Sequence, residues 1–209
     1  MKLKETVITI ESYNKNVKAY AEKFMEFPSY MKQIAKLYDL LEDGVSVLDL
    51  GCGPGNVSRQ LQRGKKLNYL GIDLSEEMIK LAQGNNKNGK FSVQDITQVN
   101  FPRNNFNCIV FSFCIVHLET NMALELLSRA IKWLKKDGFI YLSFMEGKKP
   151  GYETTSFSSE PIFFNYYQSN EIKKLLIKNG IKIIQEDSSD YVENNGVITK
   201  DIFFIGQKI

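Results

Sequence analysis

Histidine, cysteine, long apolar runs and blocks of like charge are all scarce in this chain, and each scarcity removes a class of protein. His117 is the only histidine, and the three cysteines, Cys52, Cys108 and Cys114, form no CxxC pair, so no metal site is expected. An odd number of cysteines set in a glycine loop or in strand-like runs reads as reduced, mostly buried thiols, which points to a cytoplasmic protein. The longest apolar run, Cys108 to Val116, already contains Ser112 and falls far short of the ~20 residues a membrane helix needs, so no membrane partner is expected. The opening MKLKETVITIESYNK lacks the long apolar core of a signal peptide. Net charge is only +3, and the lysines are scattered as pairs (Lys65-Lys66, Lys135-Lys136, Lys148-Lys149, Lys173-Lys174). That is the pattern of a solvated surface, and no nucleic-acid partner is expected. There is no internal repeat and no low-complexity tract.

What remains is a chain of 209 residues, 43% hydrophobic, which suits a single domain with a real core over residues 1–209. After about Gly44, strands and helices alternate. Strands are expected at Val45–Leu50, Tyr69–Asp73, Phe91–Gln94, Cys108–Phe113 and Phe139–Phe144. Between them lie helical patterns at Asn56–Gln62, from the capping Ser75 to Gly84, and at Asn121–Leu134. Such alternation implies a parallel sheet with right-handed crossovers. A helix at Glu171–Lys178 leads to Ile181–Gln185 and Ile198–Ile205, which have no helix between them and can pair only as a hairpin, one strand antiparallel to the rest. Within residues 12–40, Tyr13, Tyr20, Phe24, Tyr30, Ile34, Leu37 and Tyr38 keep helix-like spacings. Two short helices split near Pro28 are expected there, so that residues 1–40 form a helical lid over the sheet.

The stretch VLDLGCGPGN, Val47 to Asn56, runs from a buried strand directly into glycines at 51, 53 and 55. Glycine leaves no Cβ in the way, so a ligand can rest against the main chain. A dinucleotide loop needs GxGxxG to seat a pyrophosphate, but here Asn56 stands at the third glycine's place. Asp49 just before the loop would repel a pyrophosphate and suits a cationic, ammonium-bearing ligand. Asp73 ends the second strand, where an acid accepts hydrogen bonds from ribose hydroxyls; Asp95 ends the third, within reach of an adenine amine. Together these positions describe a nucleoside with a small charged tail and no phosphates.

VLDLGCGPG, YLGIDLSEEMI, VQDI and FNCIVFSFCIVHL resemble the successive motifs of class I S-adenosylmethionine-dependent methyltransferases, over roughly residues 13–209. The resemblance implies a Rossmann-like α/β sandwich with helices on both faces. Its seven-stranded, mostly parallel sheet would have order 3-2-1-4-5-7-6, with strand 7 antiparallel. It implies S-adenosylmethionine as cofactor and S-adenosylhomocysteine as product. Gly51 and Gly53 would line the methionine part, Asp73 would hold the ribose, Leu74 and Met78 would lie against the adenine, Asp95 and Ile96 would meet its edge, and Ser112 would offer backbone near the methionine amine. One departure is Asn107, where members often carry Asp; it lies at the strand end away from the site, and little effect is expected.

Each residue also has a plainer reading. Asp49 and Asp95 could be strand-end caps, and Asp73 a helix cap. His117 sits just past the fourth strand, where it could act as a general base or merely shape the pocket. Cys114 reads as packing. Tyr13, Tyr20 and Tyr38 could be core, with Tyr20 the best placed for a lid contact over a sulfonium through its π face. The fourth strand ends Ser112-Phe113-Cys114-Ile115, without the acid or amide, two prolines and aromatic that grip a planar amine, which argues against methylation of adenine or glutamine amide nitrogen. A small-molecule acceptor is expected. The segment 145–167, MEGKKPGYETTSFSSEPIFFNYY, is long for a connection. It is expected to cover the acceptor, with Glu146, Tyr152, Tyr166 and Tyr167 as contacts; a surface loop or a contact in a homodimer is the alternative. Two other classes fit less well: a cofactor-binding protein without transferase activity, and a nucleotide-binding dehydrogenase.

Overall fold

The computed structural model describes residues 4–192 and 196–209, so residues 1–3 of the expected lid lie outside it. The N-terminal region holds three helices rather than two: α1 (Lys4–Lys15), α2 (Val17–Phe24) and α3 (Pro28–Leu40). Pro28 occupies the first turn of α3, where its missing N–H costs nothing. The extra break falls at Asn16, whose side chain donates to Ser12 O (2.9 Å) and to Ser158 Oγ (3.0 Å) and so competes with the helix for hydrogen bonds.

The remaining elements are β1 (Ser46–Leu50), α4 (Asn56–Leu61), β2 (Asn68–Asp73), α5 (Glu76–Asn85), β3 (Lys90–Val93), β4 (Phe106–Ser112), a single 3₁₀ turn (Ile115–His117), α6 (Thr120–Trp133), β5 (Leu134–Glu146), β6 (Gly151–Thr155), β7 (Ser158–Phe164), α7 (Ser169–Lys178), β8 (Ile181–Val192) and β9 (Ile198–Lys208). The main sheet runs β3-β2-β1-β4-β5-β9-β8. β9 pairs antiparallel with both β5 and β8, and the other pairings are parallel. Set aside the separate β6–β7 pair, and β8 and β9 are the sixth and seventh strands of this sheet, in the order 3-2-1-4-5-7-6 that was expected.

The central strands are buried on both faces, and the pleat sorts their side chains. Ile109 and Phe111 of β4 and Leu142 and Phe144 of β5 join Leu126, Ile131 and Leu176 of α6 and α7. Cys108 and Val110 of β4, Tyr141 of β5 and Phe203 of β9 pack on the other side with Ile34 and Leu37 of α3 and Leu61 of α4. At the amino end of β4, Asn107 Oδ1 accepts from Ser46 N (3.1 Å), Ser46 Oγ (2.8 Å) and Lys135 Nζ (3.0 Å), a strand-clamping role at the end away from the glycines. No helix among the described residues is long and apolar enough to cross a membrane.

Segment 145–167 is a correction to expectation. It contains an antiparallel hairpin, β6–β7, rather than an irregular loop. The hairpin does not join the main sheet. It is stitched instead to α1: Phe163 N donates to Thr9 Oγ1 (3.1 Å), Ser12 Oγ bonds Ser158 Oγ (2.9 Å), and Lys15 pairs with Glu160 (2.8 Å).

Candidate functional site

The carboxyl ends of β1, β2 and β4 open into one cavity of about 340 Å³, and the residues following β3 complete its floor. α1, α2 and the β6–β7 tip close it from above, through Tyr13, Tyr20 and Phe157. Gly51 and Gly53 line it with φ of +73° and +52°. A Cβ at Gly51 would lie 2.3 Å from Cys114 Cβ, so that glycine is required by the protein's own packing. A Cβ at Gly53 would meet only Tyr20 Cε1, at 4.0 Å, so that glycine keeps open space before the lid. Gly55 is different in kind: its Cβ would strike Asn86 Nδ2 at 2.3 Å, in the packing of α4 on α5.

Asp73 is held in place by main chain. Gly53 N–H donates to its Oδ2 (2.9 Å) and Ser75 N–H to its Oδ1 (2.8 Å). Burial raises its pKa, and the amides of Ser75, Gly53 and Leu74 oppose that rise by favouring the ionised form. The Ser75 hydroxyl caps α5 by accepting from Met78 N (3.1 Å), and it donates to Asn14 Oδ1 (2.6 Å), which ties α1 to this wall. Leu74, Met78 and Ile96 supply apolar wall beside it, and Ser112 lines the cavity from the end of β4. Asp95 also faces the cavity, its Oδ1 accepting from Thr97 N (2.9 Å) and Thr97 Oγ1 (2.7 Å).

Asp49 does not line the cavity; it lies fully buried behind it. Its Oδ2 accepts from Tyr69 Oη (2.6 Å), and its Oδ1 has no partner. Burial pushes its pKa up to about 7, the Tyr69 bond opposing and the nearby Asp73 charge adding to the rise. An unpartnered buried carboxylate oxygen beneath the glycine loop fits a ligand whose positive charge arrives above it.

His117 is locked on both nitrogens. The Phe163 carbonyl, 2.9 Å from Nδ1, can only accept, so Nδ1 carries the proton. Nε2 is then the acceptor, taking the Tyr13 hydroxyl at 3.0 Å. Burial lowers the His117 pKa to about 4 and raises that of Tyr13. The imidazole is therefore neutral, and Tyr13, stacked 5.7 Å from Phe157, is the member of the pair held in the lid. Cys114 is buried against Gly51 and its thiol pKa is raised, as packing requires.

The four residues expected to touch an acceptor divide. Tyr166 lines the cavity and donates to Glu153 Oε1 (2.8 Å). Tyr152 is 45% exposed and does not line it. Glu146 turns to the α7 N-terminus, accepting from Ser169 N (2.6 Å). Tyr167 is buried, its hydroxyl fixed on Ile115 O (2.8 Å) and Leu118 O (2.9 Å). These last three corrections differ in cause: Glu146 is taken up by α7, Tyr167 by the turn after β4, and Tyr152 stands on the exposed side of the hairpin, its ring 5.9 Å from Phe163. Residues that sequence reading passed over also line the cavity, among them Phe113, Phe157, Thr199 and Asp201. Two stand out. Phe113 has φ of +51°, a conformation rare for a bulky residue outside a site. Asp201 is an acid directly before the apolar strand run Ile202–Ile205.

Residues 47–138 match the family model described as "Methyltransferase domain". Phosphoethanolamine N-methyltransferase 3 of Arabidopsis thaliana is 33% identical over 116 residues, 54% of this chain but 23% of that protein. Phosphoethanolamine N-methyltransferase 2 of Caenorhabditis elegans is 28% identical over 163 residues, 75% of this chain and 37% of that protein. The chain thus spans less than half the length of these curated relatives. Among solved structures, magnesium protoporphyrin IX methyltransferase of Synechocystis PCC 6803 with bound S-adenosylmethionine superposes with a TM-score of 0.73 at 17% identity, covering 100% of this chain and 99% of that one. Phosphoethanolamine N-methyltransferase 2 of Haemonchus contortus, with phosphomonomethylethanolamine and S-adenosylhomocysteine, gives 0.73 at 15% identity, covering 99% and 60%. Residues 47–138 thus match the methyltransferase-domain model, and the chain carries the class I S-adenosylmethionine-dependent methyltransferase fold.

Proposed function

We propose that this protein is an S-adenosylmethionine-dependent methyltransferase acting on a small-molecule acceptor in the cytoplasm. The observation that carries the reading is the placement of the open Gly53 main chain, the amide-held Asp73 and the Asp95 carboxylate along one wall of one enclosed cavity. When bound, S-adenosylmethionine supplies a methyl carbon activated by its sulfonium and leaves as S-adenosylhomocysteine. The chain's share is to bind and to position. Gly51, Gly53 and the Ser112 backbone would take the methionine part, with Asp49 as buried counter-charge. Asp73 would take the ribose. Leu74, Met78, Asp95 and Ile96 would take the adenine. Tyr20 would present its ring to the sulfonium.

Proximity in an enclosed site supplies roughly 7–11 kcal/mol of the barrier, so a strong base is not needed. His117, neutral and bonded on both nitrogens, is a positioning residue: it orients the Tyr13 hydroxyl toward the cavity. With its own proton held on Nε2, the Tyr13 oxygen is left to accept toward the cavity and can orient an N–H or O–H of the methyl acceptor by a hydrogen bond. A cavity of about 340 Å³ under a lid favours a small acceptor over a macromolecule. Three buried free thiols support the cytoplasmic assignment.

The test is calorimetric titration with S-adenosylmethionine and S-adenosylhomocysteine, on the wild type and Asp73→Ala, followed by mass-spectrometric screening for methylated small molecules. Micromolar binding that the variant loses, with turnover of one acceptor class, is the expected result. Binding without turnover on any class would favour a cofactor-binding protein, and absence of binding by the wild type would overturn the reading.

A further inference from the structure

The acceptor half of the cavity has a chemical character of its own. Four carboxylates line the cavity, Asp73, Asp95, Glu153 and Asp201, and among the described residues no lysine or arginine does. Two lysines bond to residues of its wall, and Lys23 Nζ also lies 5.2 Å from the centre of the Tyr191 ring. Lys148 pairs with Glu153 (2.9 Å), and Lys23 donates to Tyr191 Oη (2.6 Å) and to Ser156 Oγ. Glu153, bonded to Lys148 and Tyr166, is thereby neutralised. Asp201 has no such partner.

Asp201 and Thr199 stand two apart on β9, so the pleat points both to the face covered by α3. Both are only 2% exposed, yet both line the cavity. The Asp201 carboxylate takes one hydrogen bond from a described side chain, the Tyr30 hydroxyl at 3.0 Å. Thr199 Oγ1 is buried without any partner. Rings surround the pair in a continuous wall. Tyr30 lies 4.6 Å from Phe113 and is stacked 6.0 Å from Phe24, and Tyr191 is the register partner of Thr199 on β8. Phe113 directly follows Ser112, so this wall begins where the methionine end of the cofactor would stop.

A buried carboxylate with no cation beside it must either keep its proton or receive a positive ligand. Burial raises the Asp201 pKa to about 7, the Tyr30 bond opposing the rise. Aromatic faces add attraction for a cation, and on this side of the cavity Asp201 is the lining carboxylate without a basic partner among the described residues. An anionic acceptor would meet carboxylates and ring faces, and the two lysines at the wall are already bonded, Lys148 to Glu153 and Lys23 to Tyr191 and Ser156.

We propose that Asp201 and Thr199 form the seat of the acceptor's cationic nitrogen, and that the acceptor class is an unphosphorylated, non-carboxylated organic amine. This rests on the reading of the cavity as a methyltransferase acceptor site. It also separates the chain from the phosphorylated amines named for several of its relatives.

The experiment is a two-stage titration. The first stage measures S-adenosylhomocysteine binding to the wild type, Asp201→Asn and Thr199→Val. Equal affinities across the three show that fold and cofactor site are intact. The second stage titrates each protein, saturated with S-adenosylhomocysteine, with phenethylamine, ethanolamine and tetramethylammonium, and with phosphoethanolamine and phenylacetate as anion-bearing controls. At least one cation binds the wild type, weakened about ten- to hundredfold by Asp201→Asn and less by Thr199→Val, while the two controls do not bind. Tighter binding of phosphoethanolamine or phenylacetate, failure of all three cations, or cation binding indifferent to Asp201→Asn would each overturn the proposal. If S-adenosylhomocysteine fails to bind the wild type, the cofactor reading falls, and the second stage run without it still decides whether Asp201 seats a cation.

Discussion

Asp49→Asn is expected to make the free protein more stable above neutral pH while weakening its hold on the cofactor. The rise of the Asp49 pKa from 3.8 to about 7 corresponds to a penalty of about 4 kcal/mol on the ionised form in the folded chain, at about 1.4 kcal/mol per tenfold in proton affinity. The folded chain holds this proton more tightly than the unfolded one, so the Asp49 contribution is most favourable below about pH 4. It declines as pH rises from about 4 to about 7, and is flat beyond. Asparagine cannot ionise and still gives Tyr69 an acceptor, but it buries an amide donor at a cost of about 1–3 kcal/mol. The net gain at pH 8 is therefore about 1–3 kcal/mol, or about 2–12 °C in Tm for a chain of this size. At pH 4.5, where Asp49 is already neutral, the gain vanishes or reverses.

The assay is thermal unfolding of both proteins without ligand from pH 4.5 to 8.5, read as a difference so that His117, Asp201 and the surface carboxylates cancel. Calorimetry with S-adenosylhomocysteine at pH 8 should show the variant about ten- to hundredfold weaker, because the ligand's ammonium loses its buried counter-charge. In the wild type at pH 6, binding should release a proton, visible as a dependence of the heat on buffer ionisation. A Tm difference independent of pH, or a variant as tight as the wild type, would refute the assignment of a buried charge to this carboxyl.

The two site glycines should fail differently. Gly51→Ala forces its Cβ onto Cys114 at positive φ and should lower stability by about 2–4 kcal/mol, seen in denaturant unfolding, whereas Gly53→Ala has open space and should cost about 1 kcal/mol while cutting S-adenosylhomocysteine affinity. As the only histidine, His117 gives a single imidazole titration by NMR, expected near pH 4; a midpoint near 6.5 would show that it is neither buried nor bonded as described. Tyr13→Phe should lower kcat by about tenfold, the loss of one positioning hydrogen bond, and leave S-adenosylhomocysteine binding nearly unchanged. Phe157→Ala removes the ring that meets Tyr13, Tyr20 and Phe24 at the lid, and should raise proteolytic cleavage within residues 4–24 without unfolding the sheet.

The central fold was legible because its strands are short, apolar and buried on both faces, and because the glycines and Asp73 must sit where the first two strands end. Tertiary pairing hid the rest. The hairpin residues Gly151–Phe164 alternate in exposure as strands do, but their supporting face is α1, some 150 positions earlier in the chain. Ser, Thr and Gly in such a segment read equally well as a loop. β8 and β9 continue past their apolar cores because backbone pairing extends to Val192↔Ile198, a register that polar residues at 186–190 do not advertise. Asp201 meets Tyr30 across 171 positions, and no local pattern shows an acid and a hydroxyl converging on one cavity.

The lid's construction bears on how the site can work. α3 is a core element, burying Ile34 and Leu37 against the sheet. α1 buries only Thr9 and Ser12, and α2 has no buried residue. Their attachment is therefore polar and aromatic rather than aliphatic. It runs through Ser12 and Asn16 to Ser158, Thr9 to Phe163, and Asn14 to Ser75. Hydrogen bonds of this kind contribute about 1 kcal/mol each, since water replaces them when they open. The exposed Lys15–Glu160 pair adds little. A cover held this way can separate from the sheet without exposing a hydrophobic core, which an enclosed cavity requires if ligands are to enter and leave. The Asn14–Ser75 bond joins that cover to the same turn whose amide holds Asp73. Occupation of the ribose site and closure of the lid thus act on one short segment, Asp73 to Ser75.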